Sequence, residues 1–271
     1  MRPADRQTIL LNTILKDVKN LALKLIKQFE REDFENIFVV QNDPKSPISE
    51  AFRTLRTNIK FSSLDKPIKT LLITSPIPEA GKSSISINLA LTIAQDKNKV
   101  ILIDADLRKP TIHKLFKQDN KIGLTNILVE DKKINEVIRK MSDIDPNLYF
   151  ISSGPIPPNP SELLGSNKMK EVLQELQNQA DIVLFDSPPV IAVTDALVLA
   201  NQVDGVVLVL NFGEVTRDAA KQAKQLLEKV KAKILGVVLN KIDMEKEGQY
   251  YPYYSYYYGD ETKKKKQKRK K

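Results

Sequence analysis

The chain has no cysteine, which excludes disulfides and thiolate metal sites and is compatible with a reducing compartment. Its one histidine, His113, is read as lying on a polar helix surface and is given no catalytic role. No apolar run approaches the roughly 18 residues that a membrane-spanning helix needs, and the opening MRPADRQTILLN lacks the form of a secretory signal, so a cytoplasmic location is expected. The body of the chain is also poor in tyrosine. Seven of the eight tyrosines fall in YYPYYSYYY at residues 250–258, and a packed core seldom gathers its phenols at one end, because each buried hydroxyl needs a partner. The run reads as substrate, with a sticky low-complexity tail as the plainer alternative.

Positive charge is equally localised. Of a formal net charge of +9, eight positive charges sit in KKKKQKRKK at 263–271, so the rest of the chain is close to neutral. That distribution gives no reason to expect a specific nucleic-acid partner. The lysine block reads as a solvated, disordered tail, with attraction to anionic lipid or to nucleic acid as the sharper alternatives.

A length of 271 residues suits one large α/β domain with two attached ends. The expected division is an N-terminal amphipathic helix over 1–40, a nucleotide-binding domain over 41–248, and a tyrosine-rich, polybasic tail over 249–271. Within 6–35, Leu11, Leu15, Val18, Ala22, Leu25 and Phe29 recur at spacings of four and three along one helical face. That stripe can pack on its own domain, form a short coiled coil, lie on a membrane surface or dock to another protein. QNDPKSP at 41–47 reads as a linker. Beyond it, strand-like runs at 70–74, 99–104, 148–152, 181–186, 205–210 and 234–240 alternate with helical patterns at 82–95, 168–179, 193–201 and 215–231. This order predicts a mostly parallel sheet with helices on both faces, and the GKS loop after its first strand makes it a P-loop nucleotide-binding fold. Ligands in such sheets sit where strands end and helices begin.

The first strand ends in SPIPEAGKSS at 75–84. Backbone N–H groups at the following helix start and the Lys82 ammonium can neutralise nucleotide phosphates, Ser83 can ligate Mg²⁺, and Gly81 lets the backbone approach. Pro76 stands where the generic phosphate loop has its first glycine. Two further strand ends, ILIDADLRKP and VLFDSPP, supply Asp104, Asp106, Arg108 and Asp186, so three carboxylates should converge near Lys82. Oxygen ligands of this kind suit Mg²⁺ and phosphoryl transfer.

The combination of GKS, ILIDADLR, VLFDSPP and a terminal tyrosine cluster resembles the bacterial tyrosine kinase family, over roughly residues 45–260. The resemblance implies an ATP-dependent protein-tyrosine autokinase. It assigns nucleotide contact to Gly81, Lys82, Ser83 and Ser84, catalysis to Asp104 with Lys82 and Arg108, and metal to Ser83, Asp106 and Asp186. It makes Tyr250, Tyr251, Tyr253, Tyr254, Tyr256, Tyr257 and Tyr258 the phosphoacceptors. SEAFRTLRTNI carries Glu50, Arg53 and Arg56 at spacings of three; by itself this is an ordinary solvated helix face, but it matches the family's ExxRxxR motif, through which subunits form a ring and each presents its tail to a neighbour. GPIPPNPSELL at 154–164 resembles a family segment near the nucleotide, and otherwise reads as a proline-stiffened loop. Further implied partners are a membrane-anchored activator of the chain-length-regulator type, which would hold the kinase at the inner face of the cell membrane, and a tyrosine phosphatase. The implied role is in capsular or extracellular polysaccharide synthesis and export.

Other readings compete. The family often has PGEGKS where this chain has PEAGKS, which puts Glu79 at a frequent glycine position. A carboxylate there would sit beside the phosphates, and a non-glycine residue does not readily take positive φ. The altered loop keeps open a scaffold that binds nucleotide without catalysis. A membrane-associated ATPase switch of the partitioning or division-site-selecting type shares the fold, but its loop carries an extra lysine where this chain has Ile77. LNKID at 239–243 resembles the guanine-reading NKxD motif, with Asp243 on the base; ATP with Asn240 near adenine is the favoured alternative.

Overall fold

The computed structural model of the chain describes residues 37–63 and 66–242. The N-terminal stripe, Asp243 and the tyrosine and lysine runs lie outside the described residues. In chain order the strands are β1 (Thr70–Thr74), β2 (Val100–Asp104), β3 (Arg139–Lys140), β4 (Leu148–Ile151), β5 (Ile182–Asp186), β6 (Gly205–Asn211) and β7 (Ile234–Asn240). The helices are α1 (Val39–Asn42), α2 (Pro47–Phe61), α3 (Lys82–Ala94), α4 (Ile112–Leu115), α5 (Leu124–Val129), α6 (Ile134–Val137), α7 (Pro160–Leu164), α8 (Asn167–Gln179), α9 (Asp195–Ala200) and α10 (Arg217–Lys229).

The sheet order is β3-β4-β2-β5-β1-β6-β7. All pairs are parallel except β3 with β4. Strands covered on both faces need no polar alternation, which is why the central ones read as unbroken apolar runs. Alternate residues still separate. Leu72, Ile101, Ile103, Val183 and Phe185 pack toward α5–α10, whereas Leu71, Ile73, Leu102 and Leu184 pack toward α1–α3. The chain crosses from β1 through α3 to β2 and leaves a place between them that β5 fills. The C-terminal ends of β1, β2 and β5 therefore lie side by side.

The predicted strands are found within one residue at either end. The predicted helix at 193–201 is shorter, because the chain after Pro189 first makes a turn, with the Ala192 N–H bonded to the Pro189 carbonyl. The 41–47 stretch is not a free linker. Gln41 and Asn42 close α1, Pro47 opens α2, and the Ser46 hydroxyl between them accepts from the Ser49 N–H at 3.1 Å, a cap worth about 1 kcal/mol. Nor does the body begin at residue 41: Phe38 and Val40 are buried in the core, and Asn88 of α3 accepts from the Val40 N–H and donates to the Ile37 carbonyl. His113 is half-buried, not on an open polar surface, and among the described residues its Nδ1 has no hydrogen-bond partner. Among the described residues no helix is long and apolar enough to cross a membrane.

Candidate active site

The turn after β1 is shaped by two left-handed residues, Glu79 at φ 59° and Gly81 at φ 85°. Gly81 caps α3 and supplies no side chain to the helix's first N–H groups, where the helix dipole favours an anion. Asn240, at the end of β7, closes on this turn: its Nδ2 donates to the Ala80 carbonyl at 2.9 Å. A Cβ at position 81 would lie 2.1 Å from that nitrogen, so glycine is required there on two counts. Asn240, the residue expected near adenine, therefore also braces this loop. Its amide is engaged with the phosphate loop, because β7 ends directly against it.

Glu79 does adopt the left-handed conformation, at a cost of roughly 1–2 kcal/mol for a residue with a side chain. Glu79→Gly should relieve that strain and remove a carboxylate from beside the phosphates. Its extra unfolded-chain entropy offsets part of the gain, so stability should change by less than about 1 kcal/mol. ATP affinity measured by titration calorimetry should hold or tighten; markedly weaker binding would give Glu79 a role of its own.

Lys82 is the first residue of α3 and is buried, with 9% of its surface exposed. Beneath it, Asp104 at the end of β2 stands in register with Asp186 at the end of β5. Asp186 accepts from Ser83 at 2.5 Å and from Ser86 at 3.0 Å. Burial raises its pKa to about 6, against the Lys82 charge and the two hydroxyls, which pull it down. Asp104 accepts from the Thr111 and Ile112 N–H groups, each at 3.0 Å. Burial first, then the adjacent Asp186 charge, pushes its carboxyl well above the usual range in spite of those donors. Asp106 accepts from the Arg108 and Lys109 N–H groups, which closes the chain after β2 into a turn.

The structure therefore brings together Lys82, Ser83, Asp104, Asp106 and Asp186, as expected, with Ser84 on the same first turn of α3. It adds Ser86, one turn beyond Ser83, and Thr111, whose hydroxyl lies 3.2 Å from that of Ser83. Arg108 is bound to Asp195, a residue the sequence reading passed over. Glu50, Arg53 and Arg56 lie apart from the site. Arg53 pairs with Glu50 and donates to the Pro44 carbonyl at 2.6 Å, while Arg56 donates to the Thr92 carbonyl at 3.0 Å, at the end of α3 remote from Lys82.

The donor set fits Mg²⁺. Among the described residues no three histidine, cysteine or acidic groups form a metal cage, but Mg²⁺ needs none, since it keeps waters and takes one or two carboxylates together with substrate phosphates. Burial disfavours the charged forms of Asp104 and Asp186, and a cation beside them would favour those forms.

A family model described as an AAA domain matches residues 79–241. Tyrosine-protein kinase YwqD of Bacillus subtilis (strain 168) is 43% identical over 212 residues, which is 78% of this chain and 89% of that protein. Among solved structures, the chimerical protein CapA2B2 matches with a TM-score of 0.73 at 40% identity, over 76% of this chain and 90% of that one. The kinase domain of Escherichia coli tyrosine kinase ETK matches with a TM-score of 0.72 at 36% identity, over 76% and 80%. A septum site-determining protein MinD with Mg-ADP, from Pyrococcus horikoshii, reaches a TM-score of 0.56 at 23% identity, over 65% and 71%. The ATPase-switch reading thus has support from the fold alone.

Proposed function

The chain belongs to the bacterial tyrosine-protein kinases, and from that premise we propose that it phosphorylates the C-terminal tyrosines, Tyr250 to Tyr258, of a neighbouring copy of itself. The observation that carries this reading is the pair Asp104 and Asp186, in register beneath Lys82, in a chain that holds seven of its eight tyrosines beyond the last strand.

The α3 N–H groups and Lys82 bind the β- and γ-phosphates of ATP and hold the γ-phosphorus for in-line attack. A bound Mg²⁺, held by Ser83 with Asp106 and Asp186 and by water, would neutralise phosphate oxygens as charge moves toward the leaving ADP. Asp104 takes the proton of the entering tyrosine hydroxyl as its oxygen bonds to phosphorus. A carboxyl whose pKa is pushed upward is a stronger proton acceptor when ionised than an exposed aspartate. Its two backbone donors keep it in place as charge is redistributed.

The finer reading includes a ring of subunits joined through Glu50, Arg53 and Arg56, a membrane-anchored activator, an opposing tyrosine phosphatase, and a role in capsular or extracellular polysaccharide export. Family resemblance supports it. The half-buried Glu50–Arg53 pair on α2 is available for such an interface.

A chain truncated before Tyr250 should bind Mg·ATP within about 2-fold of the full chain, since the elements that bind phosphate end by residue 240, but should incorporate no phosphate by intact mass. Phosphate retained after truncation would place the acceptors elsewhere.

A further inference from the structure

Arg108 leaves the loop of the catalytic acids and is gripped from the side. Its Nε donates to Asp195 Oδ2 at 2.8 Å and its Nη2 to Asp195 Oδ1 at 3.0 Å, a two-point pair that fixes the plane of the guanidinium. The Asp195 side chain is fully buried, whereas that of Arg108 is 42% exposed. The carboxylate is thus held out of water while the cation it grips stays partly open to solvent. Ser161 of α7 donates to Asp195 Oδ1, accepts from Arg108 Nη2 at 3.4 Å, and lies 2.9 Å from the Thr194 hydroxyl. A carboxylate taken wholly out of water needs such partners. A single surface arginine would not need to be met by a buried acid and a hydroxyl from two other elements. Among the described residues Arg108 Nη1 has no hydrogen-bond partner, so one edge of the guanidinium is left for an anion.

We propose that Asp195, assisted by Ser161, is a positioning residue that holds the Arg108 guanidinium in one orientation toward the transferring phosphoryl group. The proposal rests on the reading of Arg108 as catalytic. Arg108 would then serve the transition state more than ground-state binding, since a planar two-point pair sets orientation where simple attraction needs only charge.

The test compares Asp195→Asn, Arg108→Lys, Arg108→Ala and the double variant Arg108→Ala/Asp195→Asn in the full chain, by initial rates of tail phosphorylation over a range of Mg·ATP. Asp195→Asn and Arg108→Lys should each lower kcat by about 10- to 100-fold, as expected for a misplaced catalytic group, with KM for ATP within about 3-fold. The double variant should be no slower than Arg108→Ala. A structural role for Asp195 would instead multiply the two losses. If Asp195→Asn fails to fold, as judged by loss of a thermal shift with Mg·ADP, Arg108→Lys decides alone, because an ammonium keeps the charge and cannot make the planar pair. Either single variant within 2-fold of wild type in kcat overturns the positioning role while Arg108→Ala remains impaired. Full activity of Arg108→Ala would instead remove the catalytic reading of Arg108 itself.

Discussion

Lys82→Ala is expected to abolish tyrosine phosphorylation, with a loss of about 10³-fold or more, because a preorganised cation at the transferring phosphoryl group contributes on that scale. The lysine is the first residue of α3, held almost out of water beside Asp186. Its charge therefore acts in a medium that screens poorly. Removing it takes away a phosphate ligand and the neighbour that lowers the Asp186 pKa. The carboxyl can respond by taking up a proton, so the fold should survive even as the chemistry is lost. Intact mass after incubation with Mg·ATP at high protein concentration reads the effect directly. Phosphate on Tyr250 to Tyr258 of the lysine variant at the wild-type rate would refute the assignment.

Asp186→Asn should do something less familiar: inactivate the enzyme and make the free protein more stable. Asp186 has a folded pKa of about 6 against 3.8 for an unperturbed carboxyl. Below about pH 3.8 folded and unfolded chains both hold the proton, and the group contributes its full stability. As pH rises through about 6 the folded chain must ionise a buried group, and up to about 3 kcal/mol of that stability is lost. Asparagine has no charge to bury and can retain part of the hydrogen bonding to Ser83 and Ser86. At pH 7.5 the variant should gain about 1–3 kcal/mol, or roughly 2–10 °C in Tm for a domain of this size, and the gain should fade toward pH 4. Mg·ADP should raise the wild-type Tm and leave the variant nearly unmoved. A variant that melts at or below the wild-type temperature at pH 7.5 would show that Asp186 is not a destabilising charge in the free protein.

These two variants bear on residues that local sequence could identify. GKS follows an apolar run, and ILIDAD and VLFD each carry an acid at the end of another, so the fold class and the convergence of Lys82, Asp104 and Asp186 were legible from strand, loop and helix order. Asp195 was not. In VTDALVLA it is an ordinary acid at the start of a helix, and nothing nearby in the chain announces Arg108, 87 residues away. Ser161 sits in a segment legible only as proline-rich, and Ser86 as one more serine of an apolar helix. The linker reading of 41–47 failed for a related reason. Proline and polar residues mark helix starts as well as loops, and the long-range anchor just before the segment, Asn88 on Ile37 and Val40, lies 48 residues beyond Val40.

What the sequence determined by itself was therefore whatever depends on neighbours along the chain: strands and helices from apolar periodicity, the glycine turn, the acids at strand ends, and the tyrosines gathered beyond the last strand. The tertiary structure alone decided which of those groups share a dielectric. Insertion of β5 between β1 and β2 puts Asp186 level with Asp104 and under Lys82, and burial then shifts both carboxyls upward. The return of β7 to the phosphate loop turns Asn240 into its brace, and the packing of α7 and α9 beside the β2 loop turns Asp195 and Ser161 into the clasp on Arg108. Desolvation and two-point hydrogen bonding act across space at distances of a few ångströms, and no spacing along the sequence records them.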